Sequence, residues 1–391
     1  MDTTLAALYP DHIRTVESRH DRVLTETGFD HAVIFGGSER TVFLDDYPYP
    51  FKVNPHFKAW VPVLTNPNCF VSYTPGKKPV LIYFRPVDYW HKPAGEPEGY
   101  WVEHFDIRMI GSLDEARQHL PTGGRTVLIG EPDGVVEDWG FAAVNPSEVV
   151  DRIHFARAWK TDYEIECMRQ ANAAGVRGHL AAERAFRAGA SEYEIHLQYL
   201  RATAHNEAQL PYSNIIAINE NAAVLHYQHQ EREVVPADKR YSFLIDAGAS
   251  VNGYASDITR TYSEHDDEFR ALIGAMDEKQ QELCAEVRPG LDYRELHLSA
   301  HRKVAEMLVQ FGFVNVDAGE AVQSGMTRTF LPHGVGHLIG LQVHDVGGFM
   351  KEESGETIPR PDGHPFLRLT RKVDVGQSFT IEPGFYFIDS L

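Results

Sequence analysis

Ser242-Phe-Leu-Ile-Asp246-Ala-Gly-Ala-Ser-Val-Asn252-Gly253-Tyr254-Ala-Ser-Asp257-Ile-Thr-Arg-Thr261-Tyr262 reads as a β-hairpin. Two apolar runs flank Asn252-Gly253, a pair suited to a two-residue turn whose central residues both need positive φ. Residues equidistant from such a turn face one another, so Asp257 stands opposite Gly248. Side chains repeat every second residue, so Gly248 shares a sheet face with Asp246. Asp246 and Asp257 thereby become diagonal neighbours, about 7–8 Å apart at the backbone. Burying two like charges side by side is costly unless a cation neutralises them. The plain alternative is two solvated acids on an exposed strand.

Outward from the hairpin, Thr161 with Glu164 and Ser191 with Glu194 each fit a capping box, predicting helices that end near Gly189 and His205. Two further helices are expected over about Asp266–Val287 and Asp292–Phe311, stopped by Pro289-Gly290 and by Gly312. A strand-rich end follows, with Ser378–Ile388 its clearest member. The order, two helices and strands twice over, reads as one domain of two similar halves spanning 160–391. Residues 1–159 instead alternate short apolar strands (Ala32–Phe35, Val80–Phe84, Thr126–Gly130) with helices near Asp11–Thr25 and Leu113–Leu120. That is the pattern of an α/β layer. Between Tyr47 and Val63, four prolines predict a long ordered loop without helix.

Two further groups carry possible chemistry. Pro332-His333-Gly-Val-Gly-His337 precedes His344-Asp-Val-Gly-Gly348, and imidazoles interleaved with glycines suit a loop whose backbone closely approaches something. Thr380-Ile-Glu382-Pro-Gly places an acid inside an apolar strand just before a turn. A lone histidine or strand-end acid is usually structural or solvated; the combination points to a metal site. Carboxylate oxygens with imidazole nitrogen suit manganese, cobalt, iron or zinc, and the donor set does not choose among them. Two such ions would activate water and polarise a carbonyl or phosphoryl oxygen. The chain has no Gly-x-Ser-x-Gly elbow, no His-Glu-x-x-His pair and no phosphate-cradling glycine loop.

Composition narrows the classes. The 391 residues carry 37 basic against 56 acidic side chains, a net charge of −19, which disfavours nucleic-acid binding. With 43% apolar and 24% charged residues the chain can bury a substantial core. No apolar run approaches the ~20 residues of a membrane helix. The N-terminus lacks the order of a signal peptide, and Cys69, Cys167 and Cys284 fall in no metal spacing. A cytoplasmic globular protein is expected, with no nucleic-acid or membrane partner.

Taken together, Ser242–Gly248, Asp257-Ile-Thr-Arg-Thr261, His333-Gly-Val-Gly-His337 and Ile381-Glu382-Pro-Gly resemble the metal-site motifs of the pita-bread metallopeptidases of family M24. Phe43-Leu-Asp-Asp46 through Trp60, with Arg85-Pro-Val-Asp-Tyr-Trp-His91, narrow the resemblance to the Xaa-Pro dipeptidases (prolidases) and the related organophosphorus acid anhydrolases. The resemblance covers nearly the whole chain. It implies an α/β N-terminal domain over 1–159 and an α+β pita-bread (creatinase/aminopeptidase-like) catalytic domain over 160–391. It further implies two divalent metal ions, manganese being expected, held by Asp246, Asp257, His337 and Glu382. Glu382 would also move a proton, while His226 and His344 would act on substrate and intermediate.

Tyr212, Tyr293 and His333 resemble pocket residues, and Arg368 or Arg371 is the candidate clamp for the dipeptide carboxylate. For either arginine, a surface or backbone-paired structural role is the alternative. Asp45 matches a residue that reaches a neighbouring subunit's pocket, which implies a homodimer. The implied activity is hydrolysis of Xaa-Pro dipeptides with a side activity on organophosphorus triesters and fluorophosphates. The rivals are a primary organophosphate hydrolase and a metal-free, non-catalytic binding protein. The family also supplies a bridging Glu in a Gly-x-Arg-Ile-Glu-Asp strand that this sequence, ending at Leu391, does not contain. The catalytic domain is therefore expected to be incomplete at its C-terminus.

Overall fold

The computed structural model describes residues 2–131 and 133–388, so the chain end at Leu391 lies outside the described residues. Two compact units form. One holds the chain up to Cys167 with Asn252–Tyr254 and Glu352–Gly355, and the other holds the rest.

The first unit is built on helix α1 (Thr3–Thr27) and a mixed sheet of β1 (His31–Phe35), β2 (Phe70–Tyr73), β3 (Val80–Phe84), β4 (Asp106–Ile110), β5 (Thr126–Ile129) and β6 (Ala143–Val144), in the order β4-β3-β2-β1-β5-β6. Strands β1/β2 and β2/β3 pair antiparallel, while β1/β5, β3/β4 and β5/β6 pair parallel. Short helices α2 (Pro55–Lys58) and α3 (Leu113–Arg117) and the longer α4 (Ser147–Arg157) complete it. Val33, Phe35, Phe70, Ile82, Ile110 and Leu128 fill its core.

Two sequence expectations are corrected here. Helix α1 begins well before Asp11, because Asp2 caps it by accepting from the Thr4 and Leu5 amides. Pro10 is tolerated because the face carrying Leu5, Tyr9, Ile13 and Val16 is buried, and that burial outweighs one lost hydrogen bond. The proline-rich stretch is not helix-free either. Pro55 occupies the first turn of α2, where its missing N–H costs nothing, and Asn54 caps that turn. Phe57, Trp60 and Val61 from this stretch are fully buried.

Both capping boxes form, one at the end of the first unit and one in the second. The Thr161 amide donates to Glu164 Oε2 at 2.8 Å, and the Glu164 amide donates to Thr161 Oγ1 at 3.3 Å. Ser191 and Glu194 repeat the arrangement. Helices α5 (Asp162–Arg187) and α6 (Glu192–Thr203) follow from them. They pack Ala182, Phe186, Ile195 and Tyr199 against Ile216, Ile218, Phe243 and Ile245 of a three-stranded antiparallel sheet. Its strands are β7 (Ile215–Ile218), β8 (Ser242–Ala247) and β11 (Ile258–Ser263), in the order β11-β8-β7. Short strands β9 (Ser250–Val251) and β10 (Tyr254–Ala255) flank a turn in which Asn252 has φ 52° and Gly253 φ 85°. Register follows from the turn as expected: Ile258 faces Ala247 and Thr259 faces Asp246.

Helices α7 (Glu268–Glu286) and α8 (Tyr293–Gln310) start at the side-chain caps Asp267 and Asp292, and the short α9 (Ala318–Gln323) and α10 (Thr327–Phe330) complete the set. No described helix is long and apolar enough to cross a membrane. The strand expected over Ser378–Ile388 does not form as such. The Ile339, Thr380 and Glu382 amides donate to the Ser378, His337 and Val335 carbonyls at 3.1, 2.9 and 2.8 Å. The reciprocal bond is diverted, because the His337 amide takes Thr380 Oγ1 at 3.0 Å and the Thr380 carbonyl accepts Tyr293 Oη at 2.6 Å. Side chains thus replace half of the ladder, and only an isolated Leu338–Phe379 bridge remains.

Candidate metal centre

Glycine at position 336 allows this close approach, since a Cβ there would overlap the Thr380 carbonyl and Tyr293 Oη. At Gly334 a Cβ would lie 2.7 Å from Leu367 Cα. The backbone approach anticipated for the glycine-interleaved histidine loop is therefore real, and it turns His337 toward two acids. His337 Nε2 lies 3.2 Å from Asp257 Oδ2 and 3.3 Å from Glu382 Oε1. His337 Nδ1 donates to the Leu338 carbonyl at 2.9 Å, which fixes the proton there and leaves the Nε2 lone pair available. Ligand atoms of Asp257, His337 and Glu382 all fall within 4.8 Å of one another, the spacing of a metal site.

Asp246 joins this cluster through Tyr212, whose Oη lies 2.7 Å from Asp246 Oδ1 and 2.9 Å from Asp257 Oδ1 and shares its proton between them. Gly248 provides the room, since a Cβ there would sit 2.8 Å from the Tyr212 ring. The acids crowd one another in a buried setting. Burial first, then Asp257, pushes the Asp246 carboxyl up to about 7. Burial, with Asp257 and Asp246 adding and His337 opposing, pushes Glu382 up to about 7. Burial alone would lower His337, but the hydrogen bond to Asp257 and the charge of Glu382 outweigh it and raise the group. Buried acids held this far above their ordinary range are where a cation gains most. The donor set, three carboxylates and one imidazole with its second nitrogen anchored, fits a divalent metal.

The remaining predicted residues fall in different surroundings. The His344 ring packs edge-on against His337 at 4.4 Å, and desolvation, then His337 and Arg368, lowers it to about 4. His226 is exposed, and its charge is among those acting on His344. His333 lies outside the ligand group. Its Nδ1 donates to the Gly334 carbonyl at 2.8 Å, and its Nε2 accepts from Tyr386 Oη at 3.2 Å. Tyr293 is fully buried and braces Thr380. Arg368 is exposed, whereas Arg371 is buried with Nη1 on the Gly347 carbonyl at 3.2 Å, the backbone-paired alternative. Asp45 sits on an exposed loop of the first unit, where its carboxylate accepts from the Asp46 amide at 2.7 Å.

Thr380 was missed as a site residue. Besides accepting the His337 amide, its Oγ1 lies 3.3 Å from Glu382 Oε1. The signal was present, because a residue two before Glu382 in an extended segment shares its face.

Comparison with known proteins places the chain. A family model described as metallopeptidase family M24 matches residues 166–391, and one described as Xaa-Pro dipeptidase, N-terminal domain, matches residues 7–155. The chain belongs to metallopeptidase family M24. An Xaa-Pro dipeptidase of Aeromonas hydrophila is 48% identical over 390 residues, covering 100% of this chain and 89% of that protein. Xaa-Pro dipeptidases of Shewanella pealeana and Shewanella oneidensis are 49% and 50% identical over 388 residues, each covering 99% of this chain and 88% of the relative. Among solved structures, zinc-substituted Escherichia coli aminopeptidase P in complex with product aligns with a TM-score of 0.74 at 23% identity, covering 96% of this chain and 87% of that one. That likeness shows the shared fold. This M24 chain thus carries both domains expected from its motifs, and family membership implies divalent metal ions.

Proposed function

We propose that this chain is a dinuclear metal-dependent dipeptidase that hydrolyses Xaa-Pro dipeptides, with a 1–159 N-terminal domain and a 160–391 catalytic domain. The observation that carries the reading is the convergence of Asp246, Asp257, His337 and Glu382 on one buried spot, three carboxylates around a single imidazole. The near-50% identity to Xaa-Pro dipeptidases along the whole chain supports the substrate class. Asp246 and Asp257, with His337 and Glu382, are the ligands, and manganese is the expected metal.

The scissile bond is a tertiary amide, a poor electrophile with a poor leaving group. Two divalent ions would lower the pKa of water at this site and polarise the substrate carbonyl. The residues do the rest. Glu382, whose carboxylate reaches His337 Nε2 at 3.3 Å, takes the proton from the attacking water and returns it to the departing proline nitrogen. His344 and His226 donate to the oxygen that gains charge. His333 lines the pocket with the buried Tyr293 supporting its wall, and Arg368 rather than the backbone-held Arg371 clamps the dipeptide carboxylate.

The exposed loops carrying Phe43, Leu44, Tyr89 and Trp90 form the contact of a homodimer in the cytoplasm, from which Asp45 reaches the partner's pocket. Phosphotriester and fluorophosphate hydrolysis is a side reaction, because tetrahedral phosphorus resembles the tetrahedral carbon of amide cleavage.

The test is proline release from an Xaa-Pro dipeptide by manganese-loaded chain, beside an Xaa-Pro-Xaa tripeptide and a fluorophosphate ester. The dipeptide should have the highest kcat/KM. Two bound ions with no turnover would overturn the proposal, and a faster ester reaction would reassign the primary substrate.

A further inference from the structure

A second group of ligating side chains lies outside the acid-rich centre. His297 and His301 are four residues apart on α8, hence on one helix face, and His364 comes from the loop after Pro361. Their ring centroids are 4.5–4.7 Å apart, and one ring nitrogen from each falls within 4.8 Å of the others. His297 Nε2 and His364 Nδ1 are 2.9 Å apart. Both α8 histidines are about 99% buried.

Hydrogen-bond accounting leaves one nitrogen unexplained. His301 Nδ1 pairs with Thr327 Oγ1 at 3.0 Å, while its Nε2 is buried with no hydrogen-bond partner among the described residues. A buried unpaired imidazole nitrogen is expensive, and metal coordination is one of the few ways to satisfy a lone pair there. From this geometry we infer that His297, His301 and His364 form a second cation site, composed wholly of imidazoles and taking zinc-class transition ions.

The ligand chemistry sets the selectivity. Three neutral nitrogens and no carboxylate favour Zn²⁺, Co²⁺, Ni²⁺ or Cu²⁺ over Mn²⁺ or Mg²⁺. Burial keeps the rings uncharged at neutral pH, His297 falling to about 2 and His301 to about 3. Room for a water as fourth ligand comes from an adjoining cavity of about 460 Å³ lined by His297, Arg328, His333, His364 and Phe366.

Three contacts oppose occupancy, the first being the 2.9 Å hydrogen bond between His297 Nε2 and His364 Nδ1, which the ion must replace. The Arg328 guanidinium is exposed and therefore screened, and it rests on the Gly325 and Gly363 carbonyls at 3.4 Å. Coordination through His297 Nε2 moves the ring proton to Nδ1 and displaces the Val335 amide, whose bond there is already long at 3.3 Å. Because Val335 lies between His333 and His337, an ion at this site pulls on the loop that carries His337.

The experiment uses the full chain with the acid centre silenced by Asp246→Asn and Asp257→Asn, stripped with chelator and titrated with Zn²⁺ alone by calorimetry. One equivalent should bind and raise Tm, and Co²⁺ in its place should give the intense visible bands of a four-coordinate nitrogen site. Adding His364→Ala, at a half-buried position, should weaken that equivalent at least tenfold, as should His301→Gln, which keeps a polar side chain. Melts in chelator check that each variant is folded. Absence of the equivalent in the silenced chain, or its survival at full affinity in a folded His364→Ala chain, overturns the proposal. Neither outcome bears on the dipeptidase reading, which rests on other residues.

Discussion

Replacing Tyr212 with phenylalanine isolates the link between the two hairpin acids. The ring is retained, so packing against Gly248 is unchanged, and only the hydroxyl 2.7 Å from Asp246 and 2.9 Å from Asp257 is removed. A hydrogen bond to a charged group contributes about 1.5–3 kcal/mol. Because the proton serves two carboxylates that must stay ionised to ligate, the loss should fall on metal binding. At about 1.4 kcal/mol per decade this is roughly a 10–150-fold weaker affinity, the range seen when groups supporting metal ligands are removed. The hydroxyl also opposes the upward push on the Asp246 carboxyl, already at about 7. Without it that carboxyl rises further, so the affinity deficit should shrink as pH is raised from 7 to 8.5. Competition with a chelator of known affinity, using Mn²⁺ across that range, reads both effects. An affinity within twofold of the parent at pH 7, in a chain that melts normally, would refute the idea that Tyr212 organises the pair.

Three other outcomes follow from the geometry. In the metal-free chain Asp246 and Glu382 have folded-state pKa values of about 7, above their unfolded values near 4. The folded state therefore binds more protons between about pH 4 and pH 7, and stability falls as pH rises through that window. Tm in chelator should drop by on the order of 5 °C between pH 5 and pH 8, whereas added Mn²⁺ should flatten the curve. Gly336→Ala would drive a methyl into the Thr380 carbonyl and Tyr293 Oη, costing about 1–3 kcal/mol by melting and about 100-fold in activity; an active, equally stable variant would contradict the close approach. Leu44 and Trp90 are 91% and 75% exposed, so Leu44→Ser with Trp90→Ser should convert a dimer to monomer in sedimentation without lowering Tm by more than a few degrees; an unchanged dimer would move the interface elsewhere.

Hairpin register and the helix starts after Thr161, Ser191 and Asp292 were legible because each depends on a few adjacent residues, although the equally local Asp2 cap of α1 was overlooked. Asn252-Gly253 sets the pairing of Ile258 with Ala247, and Thr161, Ser191 and Asp292 cap helices through side chains three or fewer residues away. What else escaped depends on partners far along the chain. Strand β2 (Phe70–Tyr73) is a short run of strand-favouring residues, and its place beside β1 depends on partners nearly forty residues away. Asp246, Asp257, His337 and Glu382 could be chosen by residue type and pattern. That His301 Nε2 has no partner, or that Tyr293 takes the Thr380 carbonyl, follows only from three-dimensional placement.

The two acid-bearing segments solve one problem in the same way. A regular antiparallel ladder fixes the direction of every side chain by the pleat, which leaves no freedom to aim a ligand. Near Asp257 the Ser256 amide donates to the Ala249 carbonyl at 2.9 Å, but the Ala249 amide returns to Ser256 Oγ at 2.9 Å rather than to the backbone. Near Glu382 the Thr380 amide donates to His337, and the His337 amide returns to Thr380 Oγ1. In each case a hydroxyl within two residues of the acid stands in for a carbonyl, and a glycine, Gly248 or Gly336, leaves room for the distortion. The ladder is loosened on one side while the Ala249, Ser256, His337 and Thr380 amides all keep an acceptor, so the carboxylate can turn toward His337 without leaving those N–H groups unpaired. In this chain, serine before Asp257 and threonine two before Glu382, each near a close-packed glycine, are thus the sequence features that accompany a loosened ladder beside a buried acid.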